Sequence, residues 1–198
     1  MVAFNLRLPT LVALGMAGIL IASACGSSGG STGGVDNAPA TAGAEANTGG
    51  EAVPVPYTDS RFHYRIDAPG RMTPNPDGSA AYLGPSERLE ISVVQGPTAS
   101  DPGALASQDL KSLAASTDAF RQLTNPASLT LNGYHVTRFA YTWNAGTSAV
   151  TGKAIQLTSV RYYLSKDTTT LAVISYGIVS NQFDPQGADD IVSTFLWQ

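Results

Sequence analysis

The chain has one cysteine, Cys25, among 198 residues, and only 13% of its side chains are charged. A single cysteine excludes an intrachain disulfide. Acidic residues outnumber basic ones 15 to 11, for a formal net charge of −4, and the sequence lacks the clustered lysines and arginines that nucleic acids and anionic membranes attract. We therefore expect no nucleic-acid partner and no polybasic membrane surface.

Catalytic motifs are also missing. The sequence contains no HExxH, GxSxG, Walker loop or CxxC, so it offers no motif for metal, nucleophilic or phosphate chemistry. His63 and His135 lie on the polar side of two separate predicted strands, and a metal site would have to bring them together with a carboxylate such as Asp67 or Glu90. We interpret both as solvent-facing and predict a non-enzyme without catalytic residues, cofactor or metal.

The longest apolar run lies near the N-terminus, over residues 8–22, after Arg7 as the only preceding charge. It contains Pro9 and two glycines and is shorter than the roughly 20 apolar residues of a membrane-spanning helix. Residues 1–24 are therefore predicted to be a cleaved secretory signal.

Small residues flank Cys25 on both sides in the stretch 22–27. This stretch resembles the lipobox of bacterial lipoproteins, with Ala22 where leucine is usual. The resemblance implies that Cys25 becomes the mature N-terminus and carries acyl chains such as palmitate, which anchor the protein at the extracytoplasmic face of the cell membrane. Two chains suffice for stable anchoring. The alternatives are a secreted protein cut near Ala24 with an incidental cysteine, or a cysteine in the core.

Residues 25–56 are rich in Gly, Ser, Thr, Ala, Asn and Pro, with Asp36, Glu45 and Glu51 as the only charges. Such a segment buries too little apolar surface to fold. We predict a flexible tether with an r.m.s. span of about 30 Å. A docking tail or a glycan-bearing stalk is the alternative.

Residues 57–198 have the length of one domain. Alternating apolar residues predict strands near residues 62–66, 81–83 and 89–93. Asn132-Gly133 predicts a hairpin with a type I′ turn, whose return strand carries a bulge near Thr137-Arg138. Further strands are expected near 155–164 and at 171–179, the latter central and covered on both faces.

Two helices are predicted, because Asp101-Pro102 and Asp184-Pro185 each place a capping carboxylate before a proline. The first should end near Asp118. The second carries an apolar stripe, which consists of Ala188, Ile191, Val192, Phe195 and Leu196. The predicted fold class is α+β, with an antiparallel sheet of about six or seven strands flanked by two long helices in an α/β/α sandwich.

This order of elements resembles the PsbP-like fold, which LpqN-type mycobacterial lipoproteins share with Mog-type Ran-binding proteins. Three stretches carry the resemblance: the aromatic strand ending in proline at 57–69, the pair 160–164 and 171–176, and the closing helix at 188–195. The resemblance implies a non-enzymatic binding or assembly module. Photosynthetic members assist a membrane complex, and mycobacterial ones look like envelope lipoproteins that contact lipids or proteins.

The late strands supply the candidate binding residues, which are Arg138, Trp143, Arg161 and Tyr163, together with Tyr141. Tyr, Trp and Arg are enriched at interface hot spots, and these residues form a shallow groove if one face of the sheet is incompletely covered. Core packing of Tyr141 and Trp143 and a solvated Arg161 are the alternative.

The predicted function is a membrane-tethered scaffold that recruits or assists an envelope protein. A carrier of lipid or small hydrophobes is the alternative, and it needs a closed apolar pocket of at least about 300 Å³. An enzyme, such as a hydrolase, would need a pocket in which carboxylate, histidine and serine converge.

Overall fold

The computed structural model of the chain describes residues 53–148 and 150–198. The predicted signal, Cys25 and nearly all of the tether lie outside these residues. The first strand begins at Val55, so it includes Val55 and Pro56, which the sequence analysis assigned to the tether. No helix in the described part of the chain has both the length and the apolar character needed to cross a membrane.

The described chain contains strands of two to 14 residues. They are β1 (Val55–Asp59), β2 (Tyr64–Ala68), β3 (Thr73–Pro74), β4 (Ala80–Leu83), β5 (Glu87–Gln95), β6 (Arg121–Gln122), β7 (Ala127–Leu131), β8 (Tyr134–Thr147), β9 (Ala154–Ser165), β10 (Thr170–Val179) and β11 (Leu196–Trp197). All pairings between them are antiparallel.

These strands form two sheets. The larger has eight strands in the order β3-β4-β5-β10-β9-β8-β6, with β7 also paired to β8, and the smaller has the order β1-β2-β11. The larger sheet exceeds the predicted six or seven strands because its edges carry two-residue strands that periodicity does not reveal. The central position of β10, between β5 and β9, is confirmed.

Two helices flank the larger sheet, α1 (Pro102–Ser116) and α2 (Pro185–Ser193). Both begin as predicted. The Asp101 carboxylate accepts a hydrogen bond from the Ala104 backbone N–H at 2.8 Å, and the Asp184 carboxylate accepts from Gln186 N–H at 3.0 Å. These bonds satisfy amide groups that the first turn of a helix leaves free.

The prediction of two long helices is wrong for α2, which has nine residues. The chain leaves the helix after Ser193 because Leu196 and Trp197 pair with Arg65 and Tyr64 of β2. Leu196 therefore lies outside the buried stripe and is 43% exposed. Phe195 remains fully buried between helix and strand.

Each face of the larger sheet has its own apolar cluster. One face packs against the small sheet and α2, in a cluster that includes Tyr64, Leu89, Tyr162, Ile174 and Phe195; we call it the sealed face. The other packs against α1 and the 3₁₀ turn Pro97–Ser100, in a cluster that includes Ala106, Phe139, Tyr141, Tyr163 and Leu171; we call it the open face. Both clusters are contiguous cores of buried side chains, so the larger sheet is the middle layer of the domain.

The Asn132-Gly133 hairpin is confirmed, since β7 and β8 pair across this turn and both residues have positive φ, 48° and 81°. A type I′ turn requires positive φ at both positions.

The predicted bulge near Thr137-Arg138 is wrong, because the register of β8 against β9 is continuous from Val136 to Asn144. The irregularity falls later, between Asn144 and Thr147. The apolar phase changes within β8 because both of its faces are buried: Val136 lies in the sealed-face cluster and Phe139 in the open-face cluster.

Candidate functional site

The open face is only partly covered. Helix α1 packs mainly on β8 and β9, and the 3₁₀ turn packs on β5 and β10. Beyond this cover, Leu83 of β4 is 77% exposed and Glu90 of β5 is also exposed. The part of the open face around β4, β5, the end of β10, the start of β9 and the end of β8 is therefore at least partly accessible, and we call it the uncovered half.

Strand register aligns a row of side chains across this uncovered half. Arg88 of β5 lies beside Gly177 of β10, Gly177 beside Ser159 of β9, and Ser159 beside Tyr141 of β8. Residues that pair directly across neighbouring strands point to the same face. The row therefore extends from a charged side chain to a buried aromatic one.

The side chain of Arg88 extends along this row and stacks on Trp143. Its guanidinium carbon lies 5.0 Å from the ring centroid, within the range of a cation–π contact. The indole is itself held, because Trp143 Nε1–H donates a hydrogen bond to Ser159 Oγ at 2.9 Å. A hydrogen bond therefore fixes the indole on which Arg88 stacks.

Gly177 makes room for this arrangement. A Cβ at position 177 would lie 2.7 Å from Ser159 Oγ and 3.4 Å from Arg88 Cγ. The first distance is shorter than a van der Waals contact, so any side chain would displace the hydroxyl that orients Trp143. A glycine inside a central strand is typical of a close approach of this kind.

The Arg88 guanidinium has no carboxylate partner. The ion pairs among the described residues involve Arg61, Arg65, Arg138 and Arg161, and Arg88 forms neither an ion pair nor a side-chain hydrogen bond there. Burial lowers the pKa of Arg88, and Tyr141 and the charge of Glu90, both on the same face, oppose that lowering. Because an arginine stays protonated at neutral pH, the uncovered half presents a partly desolvated cation that has no direct ion-pair partner among the described residues.

A small pocket of about 80 Å³ adjoins Arg88. Its lining is mixed: Pro85, Ala145, Ile155, Leu157 and Val179 are apolar, and Ser86, Glu87 and Arg88 are polar or charged. The uncovered half therefore combines a cation and an aromatic ring, which are side-chain types enriched at interface hot spots, with an exposed leucine and a recess that is partly apolar.

Two of the predicted site residues contact helix α1. Tyr163 Oη–H donates to Asp109 Oδ2 at 2.8 Å, and Arg161 Nη1 lies 3.3 Å from the same oxygen. Arg161 Nε also donates to Ser175 Oγ at 2.9 Å. Tyr163 is fully buried, and burial raises the pKa of its hydroxyl. Arg161 remains 24% exposed and borders the uncovered half.

Arg138 lies on the sealed face, away from the other predicted residues. It forms an ion pair with Asp189 of α2, and Tyr162 Oη–H donates to Asp189 Oδ1 at 2.8 Å. Burial, followed by this hydrogen bond, raises the pKa of Tyr162. The structure thus brings Trp143 and Arg161 to one face and separates Arg138 from them, while the binding role of all four predicted residues stays a prediction.

Sequence reasoning missed Arg88, Ser159 and Gly177. One signal was present: Gly177 interrupts the apolar run predicted as a central strand, and an isolated glycine there indicates close packing against a neighbour. The partner of such a glycine depends on register, which no local pattern supplies.

A second depression, open and about 590 Å³ in volume, lies at the start of α1 and includes Asp101, Ser128, His135, Ser165 and Asp167. Catalysis by these residue types requires a nucleophile hydrogen-bonded to a base. No hydrogen bond joins the histidine to a serine or carboxylate among the described residues. Instead, Asp101 caps α1 and Asp167 accepts from the Thr169 backbone and hydroxyl.

The described residues contain no group of three or more His, Cys, Asp or Glu side chains arranged to hold a metal ion. Neither described depression is a closed apolar cavity, since one is open and partly polar and the other is small.

No protein-family model matches the chain, and no curated protein matches it in sequence. Solved structures do match. The Ran-binding protein Mog1p of Saccharomyces cerevisiae superposes with a TM-score of 0.50 at 14% identity, covering 73% of this chain and 95% of Mog1p. LpqN of Mycobacterium tuberculosis, described as involved in cell envelope biogenesis, matches with a TM-score of 0.38 at 12% identity, covering 74% of this chain and 83% of LpqN.

A structure from Bacteroides thetaiotaomicron matches with a TM-score of 0.49 at 10% identity, over 74% of this chain. This chain spans only 49% of that protein. The similarity to Mog1p shows a shared fold, and it confirms at the level of the fold the PsbP-like, α+β architecture that the sequence resemblance implied.

Proposed function

We propose that this protein is a membrane-tethered extracytoplasmic lipoprotein whose folded domain is a non-catalytic binding module that recruits or assists an envelope protein. The observation that carries the proposal is the uncovered half of the open face, where Arg88 stacks on Trp143 without a carboxylate partner. Partly buried Arg and Trp side chains on an accessible sheet are typical of interface hot spots.

A protein partner fits this surface better than an enclosed small ligand does. Leu83 is exposed at one side of this surface, and its recess of about 80 Å³ takes only part of a side chain. Small-molecule sites are usually deeper clefts that bury most of the ligand. Mog1p, which has the same fold, is named for binding a protein; since fold alone does not determine function, the proposal depends on the surface.

The lipid anchor is the second part of the proposal, and Cys25 after a short apolar signal supports it. Mass spectrometry of the N-terminal peptide from native membranes should find a diacylglyceryl group on Cys25. A Cys25→Ser variant should be released into the soluble fraction. An unmodified Cys25 in the native protein would contradict this part.

The binding part is tested by photocrosslinking in intact cells. A photoreactive residue at position 83 is compared with one at position 196, since Leu83 and Leu196 are both exposed leucines but Leu196 lies on the small sheet. We expect a reproducible protein crosslink from position 83 and none from position 196. Equal crosslinking from both positions, or none from position 83, would contradict the proposal.

A further inference from the structure

We propose that the uncovered half binds an extended peptide segment of the partner that places an Asp or Glu carboxylate on the Arg88 guanidinium and a neighbouring apolar side chain in the pocket beside it. This inference rests on the proposed function, because it takes the partner to be a protein, and it adds the chemistry by which that protein is recognised.

The carboxylate follows from the state of Arg88. One face of its guanidinium is stacked on Trp143, and among the described residues its N–H groups have no hydrogen-bond or ion-pair partner. A guanidinium offers a planar fork of donors that matches a carboxylate in two parallel hydrogen bonds. An incoming carboxylate therefore gains a charge-assisted pair without displacing an existing one.

An anionic membrane surface is a poorer fit for the same cation. Recruitment to such a surface needs several lysines or arginines together. Here Glu90 is exposed on the same face, and Arg161 is already paired with Asp109 at 3.3 Å. One free guanidinium can pair with a single carboxylate, but it does not supply the several cations that binding to a charged bilayer requires.

The neighbouring apolar side chain follows from the pocket. One side of its wall is apolar and consists of Ile155, Leu157 and Val179, while Ser86, Glu87 and Arg88 form its polar side. A volume of about 80 Å³ admits part of one side chain and no larger group. The guanidinium and the recess are adjacent, so one short segment can occupy both.

The site is also held rigid before a ligand arrives. Ser159 fixes the indole of Trp143 through a 2.9 Å hydrogen bond, and Gly177 lets the Arg88 side chain lie close to the sheet. A preorganised site loses less conformational entropy on binding. This rigidity distinguishes Arg88 from a solvated surface arginine.

The test uses the mature chain purified from membranes in detergent and a library of short random peptides. We expect the selected peptides to share an acidic residue adjacent to an apolar one. A synthetic peptide of the selected sequence should bind Arg88→Gln about tenfold or more weakly than wild type. Arg65→Gln is the matched control, because Arg65 lies on the small sheet and is paired with Asp67 at 3.0 Å, and it should bind as wild type does.

A double-mutant cycle then assigns the contact. Replacing the acidic residue of the peptide by its amide should weaken binding to wild type and should have no further effect on Arg88→Gln. If Arg88→Gln does not unfold cooperatively in urea, Arg88→Lys replaces it; this variant keeps the charge, loses the planar fork and should also bind more weakly.

The inference is overturned if no peptide is selected, if the selected peptides lack a carboxylate, or if Arg88→Gln and Arg88→Lys bind as tightly as wild type. A protein crosslink from position 83 in cells together with any of these results would leave the proposed function standing and remove only the acidic-segment inference.

Discussion

On both faces of the larger sheet, a tyrosine and an arginine of the sheet bind an aspartate of the flanking helix. Tyr162 and Tyr163 are adjacent in β9 and point to opposite faces, and each donates its hydroxyl to a helical aspartate at 2.8 Å. On the sealed face Asp189 of α2 also pairs with Arg138, and on the open face Asp109 of α1 also pairs with Arg161. The hydrogen bonds and ion pairs between sheet and helix therefore do not distinguish the two faces.

The apolar cover does distinguish them. On the sealed face the Phe195 ring lies 5.3 Å from that of Tyr64 and 5.0 Å from that of Trp197. On the open face α1 fully buries only Ala106 among its side chains. Because burial of apolar surface is the dominant favourable term in folding, we assign more of the stability to the sealed face, and only the uncovered half of the open face stays free for binding.

The largest expected difference comes from truncating one apolar side chain on each face. Phe195→Ala should lower the free energy of unfolding by about 3 to 5 kcal/mol, because it leaves a cavity in a filled core. Leu83→Ala, on the uncovered half, should change it by about 0.5 kcal/mol or less. Urea unfolding of both variants measures this, and similar losses would contradict the comparison.

Removing each of the two helical aspartates tests the hydrogen bonds and ion pairs that join the helices to the sheet. Asp189→Ala should cost about 2 to 3 kcal/mol, since it leaves the Arg138 charge and the Tyr162 hydroxyl without a partner next to a sealed core. Asp109→Ala should cost a similar amount, about 2 to 3 kcal/mol, because it leaves the Tyr163 hydroxyl and the Arg161 charge without their partner, and Arg161 at 24% exposed is no more accessible than Arg138 at 33%. Urea unfolding gives the two values, and a negligible loss for either variant would show that the two faces do not share this contact.

A methyl group at Gly177 disturbs the open face alone. Gly177→Ala should cost about 1 to 2 kcal/mol, because the new Cβ meets Ser159 Oγ, and it should shift the fluorescence of Trp143. Gly103→Ala is the control: its Cβ would meet only Asp101 Oδ1, at 3.4 Å. Unchanged fluorescence in Gly177→Ala would show that Ser159 does not hold the indole.

The smallest expected effect is a pH dependence at the turn after β1. Burial raises the pKa of the Asp59 carboxyl, but hydrogen bonds from the Arg61 side chain and from the Phe62 and Arg61 backbone N–H groups outweigh it, so the pKa lies below the ordinary 3.8. This contribution to stability is present above 3.8 and is lost as pH falls through the lowered pKa.

Asp59→Asn should therefore flatten the acid limb of the plot of unfolding free energy against pH. Asp67→Asn serves as the control, since Asp67 pairs with Arg65 on the same small sheet. An unchanged slope in Asp59→Asn would mean that other carboxyls cause the acid sensitivity.

Local chemistry predicted part of this structure well. The Asp101 and Asp184 caps and the Asn132-Gly133 turn depend on residues within a few positions of one another, and all three were found where the sequence placed them. The early end of α2 was not predictable in this way, because it depends on β11 pairing with β2 across the whole domain.

The candidate site was only half predictable for the same reason. Residue types pointed to Trp143 and Arg161, but Arg161 meets Asp109 across 52 positions of sequence and Arg138 meets Asp189 across 51. Which face each arginine occupies follows from register, and a shift of one residue exchanges the faces. Arg88 was missed because its significance comes from what it lacks, a carboxylate partner.

The central claim is that the uncovered half of the open face is the binding surface of this domain. The most direct measurement is the ratio of protein crosslinks formed in intact cells from position 83 to those formed from position 196, two exposed leucines in different sheets. We expect crosslinks concentrated at position 83. Crosslinks concentrated at position 196 would place the binding surface on the small sheet and contradict it.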